Sequence, residues 1–127
     1  HPAVPVGLAR DILEIRAHLQ GGPTAALDAT DWNFYEPQLH EDDETIAMID
    51  ARIARFCRRV VRRHPGRPVV AVTHGDIVVI ARARFEARPL VLASLRGPFY
   101  PATASILRVT LDPDLRAVEV GVVSREP

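Results

Sequence analysis

The sequence predicts an α/β sandwich with a mixed sheet, on three observations. One long amphipathic helix pattern runs through the forties and fifties, an apolar run without alternation follows it at 68–73, and two strand-like runs close the chain around Asp112-Pro113-Asp114. With 127 residues the chain reads as a single domain, 1–127, large enough to bury a core.

Taken in order, residues 1–8 read as an extended, proline-marked entry, and Ala9 to Ile15 as a short apolar segment with Glu14 embedded in it. Arg16 to Asp42 is irregular: Gly21-Gly22-Pro23 breaks it, and Asp28, Asp31, Asn33 and Pro37 mark turns. Trp32, Phe34 and Tyr35 suggest that this region folds over something, as long loops that cover a site do. Ile46, Ile49, Ile53, Phe56 and Val60 then recur at spacings of three and four, the stripe of a helix. Asp42 or Asp43 is its expected N-cap, and Glu44 in the first turn suits the helix dipole. Arg58, Arg59, Arg62 and Arg63 crowd the favourable last turns as a solvated face, and His64-Pro65-Gly66 stops the helix.

Residues 68–73, Pro-Val-Val-Ala-Val-Thr, carry the pattern of a strand covered on both faces, as in parallel sheets. Asp76 to Glu86 reads as a helix with Ile77, Ile80, Ala81 and Arg84 on one side. A hairpin turning at His74-Gly75-Asp76 is the competing reading, and the helix formers from Ala81 to Ala87 favour the helix. Arg88-Pro89 allows a further short helix through Leu95, stopped by Gly97-Pro98. Thr103 to Leu111 and Arg116 to Ser124 are expected to pair antiparallel across the Asp-Pro-Asp turn.

Composition excludes several classes. Apolar residues make up 47 % and charged residues 25 %, the mix of an ordinary soluble globular protein. Net charge is zero, so there is no electrostatic footprint for nucleic acid and no polybasic membrane contact. No apolar run approaches the roughly 20 residues that span a bilayer, and no signal peptide is visible at His1-Pro2-Ala3-Val4-Pro5-Val6. All sixteen basic residues are arginine, which a GC-rich coding sequence explains more simply than phosphate binding. The single cysteine, Cys57, rules out an intramolecular disulfide and fits a reducing compartment, so a cytoplasmic location is expected. The five histidines lack metal-ligand spacing, so neither a metal nor another cofactor is expected. The chain has no Gly-rich phosphate loop and no Gly-x-Ser-x-Gly, which argues against a nucleotide-binding protein or an α/β hydrolase.

The residue most suited to chemistry is His74. It follows the carboxyl end of the apolar run, where open α/β sheets place their ligands. Gly75 permits a tight turn and close backbone approach. A helix starting at Asp76 or Ile77 directs free N–H groups at the same spot, which suits an anion such as phosphate. Taken alone, Thr73-His74-Gly75-Asp76 is a short motif, and a histidine that merely caps a strand is the structural alternative.

The run from Pro65 through Asp76 resembles the second active-site motif of the histidine phosphatase superfamily, the phosphoglycerate-mutase-like fold. Glu44-Thr45, Arg52 and Phe56 match the family's preceding helix, and Pro89-Leu90 through Leu95 and Tyr100 to Ile106 follow its order. Leu13-Glu14-Ile15 resembles its earlier acidic segment. The likeness spans about residues 9 to 123 and is most specific from 44 to 110. It implies a three-layer sandwich with a mostly parallel mixed sheet, incomplete at the N-terminus, this chain being the C-terminal two-thirds of such a domain. It implies phosphomonoester hydrolysis through a phosphohistidine. His74 would stabilise the transferring phosphoryl group, and Glu14 would protonate the leaving oxygen. Thr73, Gly75 and Asp76 would bind the substrate, a small phosphorylated molecule.

The sequence departs from that pattern in places. The family's first histidine, in an Arg-His-Gly motif, has no match, and Arg63-His64-Pro65-Gly66 is a helix end with an inserted proline. Arg16 to Gly22 replaces the usual continuation after the acidic segment, so Glu14 also reads as a carboxylate paired with Arg10 or Arg16. His18 and His40 are further loop histidines that could reach a ligand. Three readings stay open: a phosphatase whose nucleophile lies upstream of this chain, a catalytically dead binding relative, and an unrelated α/β domain. Without a neighbouring strand, 69–72 would expose an apolar edge. The chain is therefore expected to be poorly stable alone or to form a homodimer across that gap.

Overall fold

The structure is a computed structural model that describes residues 4–123. A 3-10 turn at Arg10–Ile12 is followed by a short helix α1 (Thr24–Ala29), the long helix α2 (Ile46–Arg63) and helix α3 (Gly75–Phe85). Two further 3-10 turns, Leu92–Ser94 and Gly97–Phe99, lead into strands β1 (Ile106–Leu111) and β2 (Ala117–Val123).

Helix α2 forms where its apolar stripe lies. Thr45 is its N-cap, accepting from the Met48 N–H at 3.3 Å, in place of the expected Asp42 or Asp43. Both aspartates lie too early, and Asp43 is engaged elsewhere. Arg62 and Arg63 sit in the last turn, and the helix closes with the His64 N–H on the Val60 carbonyl at 2.8 Å. Ile46, Ile49 and Ile53 are buried, while Phe56 and Val60 are half-buried.

Helix α3 starts one residue before the expected point. Its buried set is Ile77, Val79, Ile80 and Ala83, whereas Ala81 and Arg84 are half-buried. The predicted single face is corrected because α3 packs against α2 and also against the hairpin, so apolar residues are accepted on more than one side. The fully buried Ile49, Ile77, Val79 and Ile80 anchor the core, each burial being worth about 1.5–3 kcal/mol. At its rim the Arg84 guanidinium bridges α3 to α2, with Nη1 2.7 Å from both carboxylate oxygens of Asp50.

The β structure differs from the expectation. Strands β1 and β2 pair antiparallel, with Ile106 opposite Val123, Val109 opposite Val120 and an irregularity at Thr110/Leu111. The Asp112 side chain closes the turn by accepting the Arg116 N–H at 2.8 Å. This hairpin is the only sheet among the described residues; Ser124, the expected end of the second strand, lies outside them. Residues 68–73 form no regular structure and belong to no ladder, and Val70 and Val72 are 90 % and 91 % exposed. The expected strand, covered on both faces in a mostly parallel sheet, is therefore not formed. A strand needs a neighbour for its N–H and C=O groups, and among the described residues no strand pairs with this one.

After α3 the expected short helix is reduced to the 3-10 turn at Leu92–Ser94. Gly97-Pro98 opens a second turn, with Gly97 at φ 61°. Leu95 between them is buried in the core. None of the helices is long and apolar enough to cross a membrane, among the described residues.

Candidate active site

The site is assembled from a buried ion pair outward. Arg52 falls on the apolar stripe of α2, eight residues after Glu44, and both side chains are buried. Arg52 donates from Nε to Glu44 Oε1 and from Nη2 to Glu44 Oε2, each at 3.0 Å, the forked geometry that suits a guanidinium and a carboxylate. Its remaining donors hold the backbone of the acidic segment, with Nη1 on the carbonyls of Asp11 at 3.0 Å and Leu13 at 2.6 Å, and Nη2 on that of Glu14 at 3.3 Å. Glu44 completes the clamp. Its Oε2 accepts the Arg16 N–H at 3.0 Å and its own N–H donates to the Arg16 carbonyl at 2.9 Å. The charged pair thus fixes the loop that carries Glu14, although that loop has no regular structure of its own.

Across from this loop, the 68–73 segment ends at Thr73, whose hydroxyl donates to the Ile12 carbonyl at 2.5 Å. His74 follows as the N-cap residue of α3, but its side chain makes no cap hydrogen bond. Instead its Nδ1 lies 2.9 Å from Glu14 Oε2, with both side chains partly exposed. Glu14 Oε1 accepts the Ile15 N–H at 3.0 Å, which orients the carboxylate. Glu14 meets neither Arg10 nor Arg16 among the described residues; Arg16 lies by Glu44 at 4.0 Å. The first amides of α3, from Gly75 onward, lack intrahelical acceptors and lie beside His74.

Gly75 and Asp76 are held by two tyrosines. A Cβ at Gly75 would stand 2.6 Å from the Tyr100 hydroxyl, so any other residue there would require the Tyr100 ring to shift. Tyr100 donates to Asp76 Oδ2 at 3.2 Å, and the buried Tyr35 donates to Asp76 Oδ1. Burial raises both phenols, and the Asp76 charge raises them further, Tyr100 to about 12 and Tyr35 beyond the range in which a phenol ionises in water. Both hydroxyls therefore stay protonated donors, and the Asp76 carboxylate is engaged by the protein itself.

Glu14, Asp76, Tyr35 and Tyr100 form one end of a cavity of about 540 Å³. Its other walls are Leu19, Leu27, Trp32, Phe34, Leu92 and Leu95. The irregular 16–42 region supplies much of this lining. Trp32 meets Phe34 edge-on at 6.1 Å, and Phe34 meets Tyr35 edge-on at 6.5 Å.

His18 and His40 are organised elsewhere. Asp43, buried, accepts from the His18 N–H at 2.6 Å and the His40 N–H at 3.0 Å, and the His18 Nδ1 lies 2.8 Å from its Oδ2. Burial raises the Asp43 carboxyl, but the hydrogen bonds and charge of His18 outweigh it and hold the group below its ordinary value. This cluster fixes the start of α2 and does not line the larger cavity. Among the described residues no group of three or more His, Cys, Asp and Glu side chains is placed to hold a metal ion.

The sequence reading did not give Arg52, Tyr35 and Tyr100 these positions. A signal existed for Arg52, since a charge on a buried stripe must find a partner. For Tyr35 the aromatic cluster with Trp32 and Phe34 pointed to a covering loop, but nothing local pointed either tyrosine to Asp76, which they reach from distant parts of the chain.

The structure thus sets a histidine at a helix start, a carboxylate on its ring and a cavity adjoining that carboxylate. The family follows from the sequence comparison: the model of the Histidine phosphatase superfamily (branch 1) matches residues 8–122, and the chain belongs to that superfamily. No curated protein and no solved structure matches it.

Proposed function

We propose that this chain forms the phosphate-handling half of a phosphomonoesterase acting through a phosphohistidine. The observation that carries the proposal is His74 Nδ1 at 2.9 Å from Glu14 Oε2, beside the start of α3, in a member of this superfamily. A carboxylate on Nδ1 orients the ring. Nε2 is then the nitrogen left to face a phosphoryl oxygen, as charge spreads over those oxygens in the transition state. The first amides of α3 add donors for the same anion. Thr73, Gly75 and Asp76 shape the substrate site around them, Asp76 through its two tyrosine donors.

The chain contains no Arg-His-Gly motif, so the attacking histidine has to come from outside these 127 residues. In the full reaction that histidine forms a P–N bond as the P–O bond to the alcohol breaks. Glu14, acting as the acid, gives the departing oxygen its proton; water then attacks phosphorus as the P–N bond breaks, its proton returns to Glu14, and inorganic phosphate and the free histidine are released. The three-layer, mostly parallel sheet belongs to the same proposal: the unpaired 69–72 edge would gain a neighbouring strand, from the same polypeptide or from a second copy. A cytoplasmic setting is proposed with it, on the single cysteine.

The second reading, a relative that binds phosphate or a partner without catalysis, is favoured by the same missing motif. Intact mass of the protein from its natural source separates the two. A mass clearly above that of these 127 residues allows the missing histidine, and phosphatase assays with and without His74→Ala then test its role. A mass equal to this chain removes catalysis and leaves binding.

A further inference from the structure

The cavity beside Glu14 and Asp76 has a chemistry that selects among phosphomonoesters. Its body is apolar, walled by Leu19, Leu27, Trp32, Phe34, Leu92 and Leu95. Its acidic end holds Glu14 and Asp76, which oppose the entry of a second anionic group. Among the described residues the one cation that lines it, Arg96, is held by Asp31, with Nη1 2.5 Å from Oδ2 and Nη2 on the backbone carbonyl. The two tyrosine hydroxyls donate to Asp76 and are not offered as donors to a ligand. Gln20 and the Gly21-Gly22 backbone also line the cavity, but a polyhydroxylated sugar would leave its remaining hydroxyl groups without partners against the apolar walls. A nucleotide or bisphosphate would bring charge toward two carboxylates.

We infer that the cavity receives the apolar, preferably aromatic, alcohol portion of a monophosphate ester, whose phosphoryl group stays outside at His74. The inference rests on the phosphomonoester reading for the phosphoryl end only. The size of the cavity, about 540 Å³, suits a ring system. Trp32 and Phe34 already meet edge-on, and a flat ring placed against them continues that packing.

The test is calorimetric titration of the 127-residue chain with 1-naphthyl phosphate, ribose 5-phosphate, inorganic phosphate and 1-naphthol. The aryl ester is expected to bind at least about tenfold more tightly than the sugar ester, from the apolar area it buries. Trp32 is half exposed, so Trp32→Ala should fold; it is expected to weaken 1-naphthyl phosphate about fivefold and leave inorganic phosphate unchanged. Circular dichroism checks the fold, and Leu92→Ser provides a second change in the same wall. Equal binding of the aryl and sugar esters, or loss of both to the same extent in Trp32→Ala, overturns the inference while leaving the phosphate reading intact. Binding of 1-naphthol that weakens in Trp32→Ala, with no binding of inorganic phosphate, overturns the phosphate reading and upholds the apolar occupant.

Discussion

The ring of His74 and the carboxylate of Glu14 meet at 2.9 Å, although one caps a helix and the other lies on an irregular loop far earlier in the chain. Both side chains are partly exposed, 53 % and 37 %. An ion pair in that setting contributes at most about 1 kcal/mol to stability. On the proposed function, its consequence lies in ligand binding. His74→Ala is expected to unfold within about 0.5 kcal/mol of the parent and to lose phosphate affinity by about tenfold or more, the worth of a charge-assisted hydrogen bond. Glu14→Ala should lose less, because the ring remains. Urea unfolding and calorimetry read the two effects separately, and wild-type affinity in His74→Ala would remove His74 from the site.

Arg52 is the opposite case, a buried charge whose partner is also buried. Removing it leaves the buried Glu44 with only the more distant Arg16 guanidinium at 4.0 Å, and three backbone carbonyls without their donor. Arg52→Ala is expected to cost about 3–5 kcal/mol in urea unfolding. Arg52→Ala with Glu44→Ala should cost less than the sum of the single changes. A strictly additive double variant would mean that the pair does not act as a unit.

Gly75 and Tyr100 make a steric prediction. Alanine normally stabilises a helix relative to glycine by about 1 kcal/mol, but here the new methyl group would meet the Tyr100 ring. Gly75→Ala is expected to be destabilising in the parent and neutral or stabilising in a Tyr100→Ala background. The sign reversal is read from the two melting temperatures. No reversal would show that Tyr100 does not pack on Gly75.

The Asp43 cluster gives the chain an acid limit. A carboxyl held below its unfolded value contributes stability that is present above that unfolded value and is lost as pH falls through the folded one. Asp43 is held in that direction by His18. Melting temperature is therefore expected to drop as pH falls below about 4, near the unfolded carboxyl value. The drop should be shallower in Asp43→Asn, whose own melting temperature at neutral pH is lower. A parallel pH profile for parent and variant would exclude Asp43 as a source of the acid loss.

The open edge at 69–72 carries the last prediction. Val70 and Val72 stand in solvent on a segment without a ladder, an arrangement that favours pairing with another strand. Sedimentation velocity is expected to show concentration-dependent self-association, reduced in Val70→Lys with Val72→Lys. A monomer at all concentrations would count against pairing between copies.

Much of the fold was legible in the sequence. The stripe Ile46, Ile49 and Ile53 located α2, since burial of one face repeats with the helical period. Asp112-Pro113-Asp114 located the hairpin, because turn chemistry is local. The run 68–73 was misread in its surroundings: apolar composition reports that a segment suits a covered strand, and cannot supply the strand that covers it. The cap of α2 was also missed by two or three residues, as Asp43 answers to His18 and His40 and leaves capping to Thr45.

For the site, the sequence by itself determined the residue types and their local placement: a histidine before glycine at a helix start, an acidic residue in an apolar segment, and a family pattern that holds over residues 8–122. Only the tertiary structure decided that Glu14 faces His74, that Arg52 and Glu44 hold the loop which brings it there, and that two tyrosines close on Asp76. The physical reason is range. Periodicity, capping and turns depend on near neighbours along the chain, whereas these contacts join segments tens of residues apart and follow from how buried charges find partners in the packed molecule.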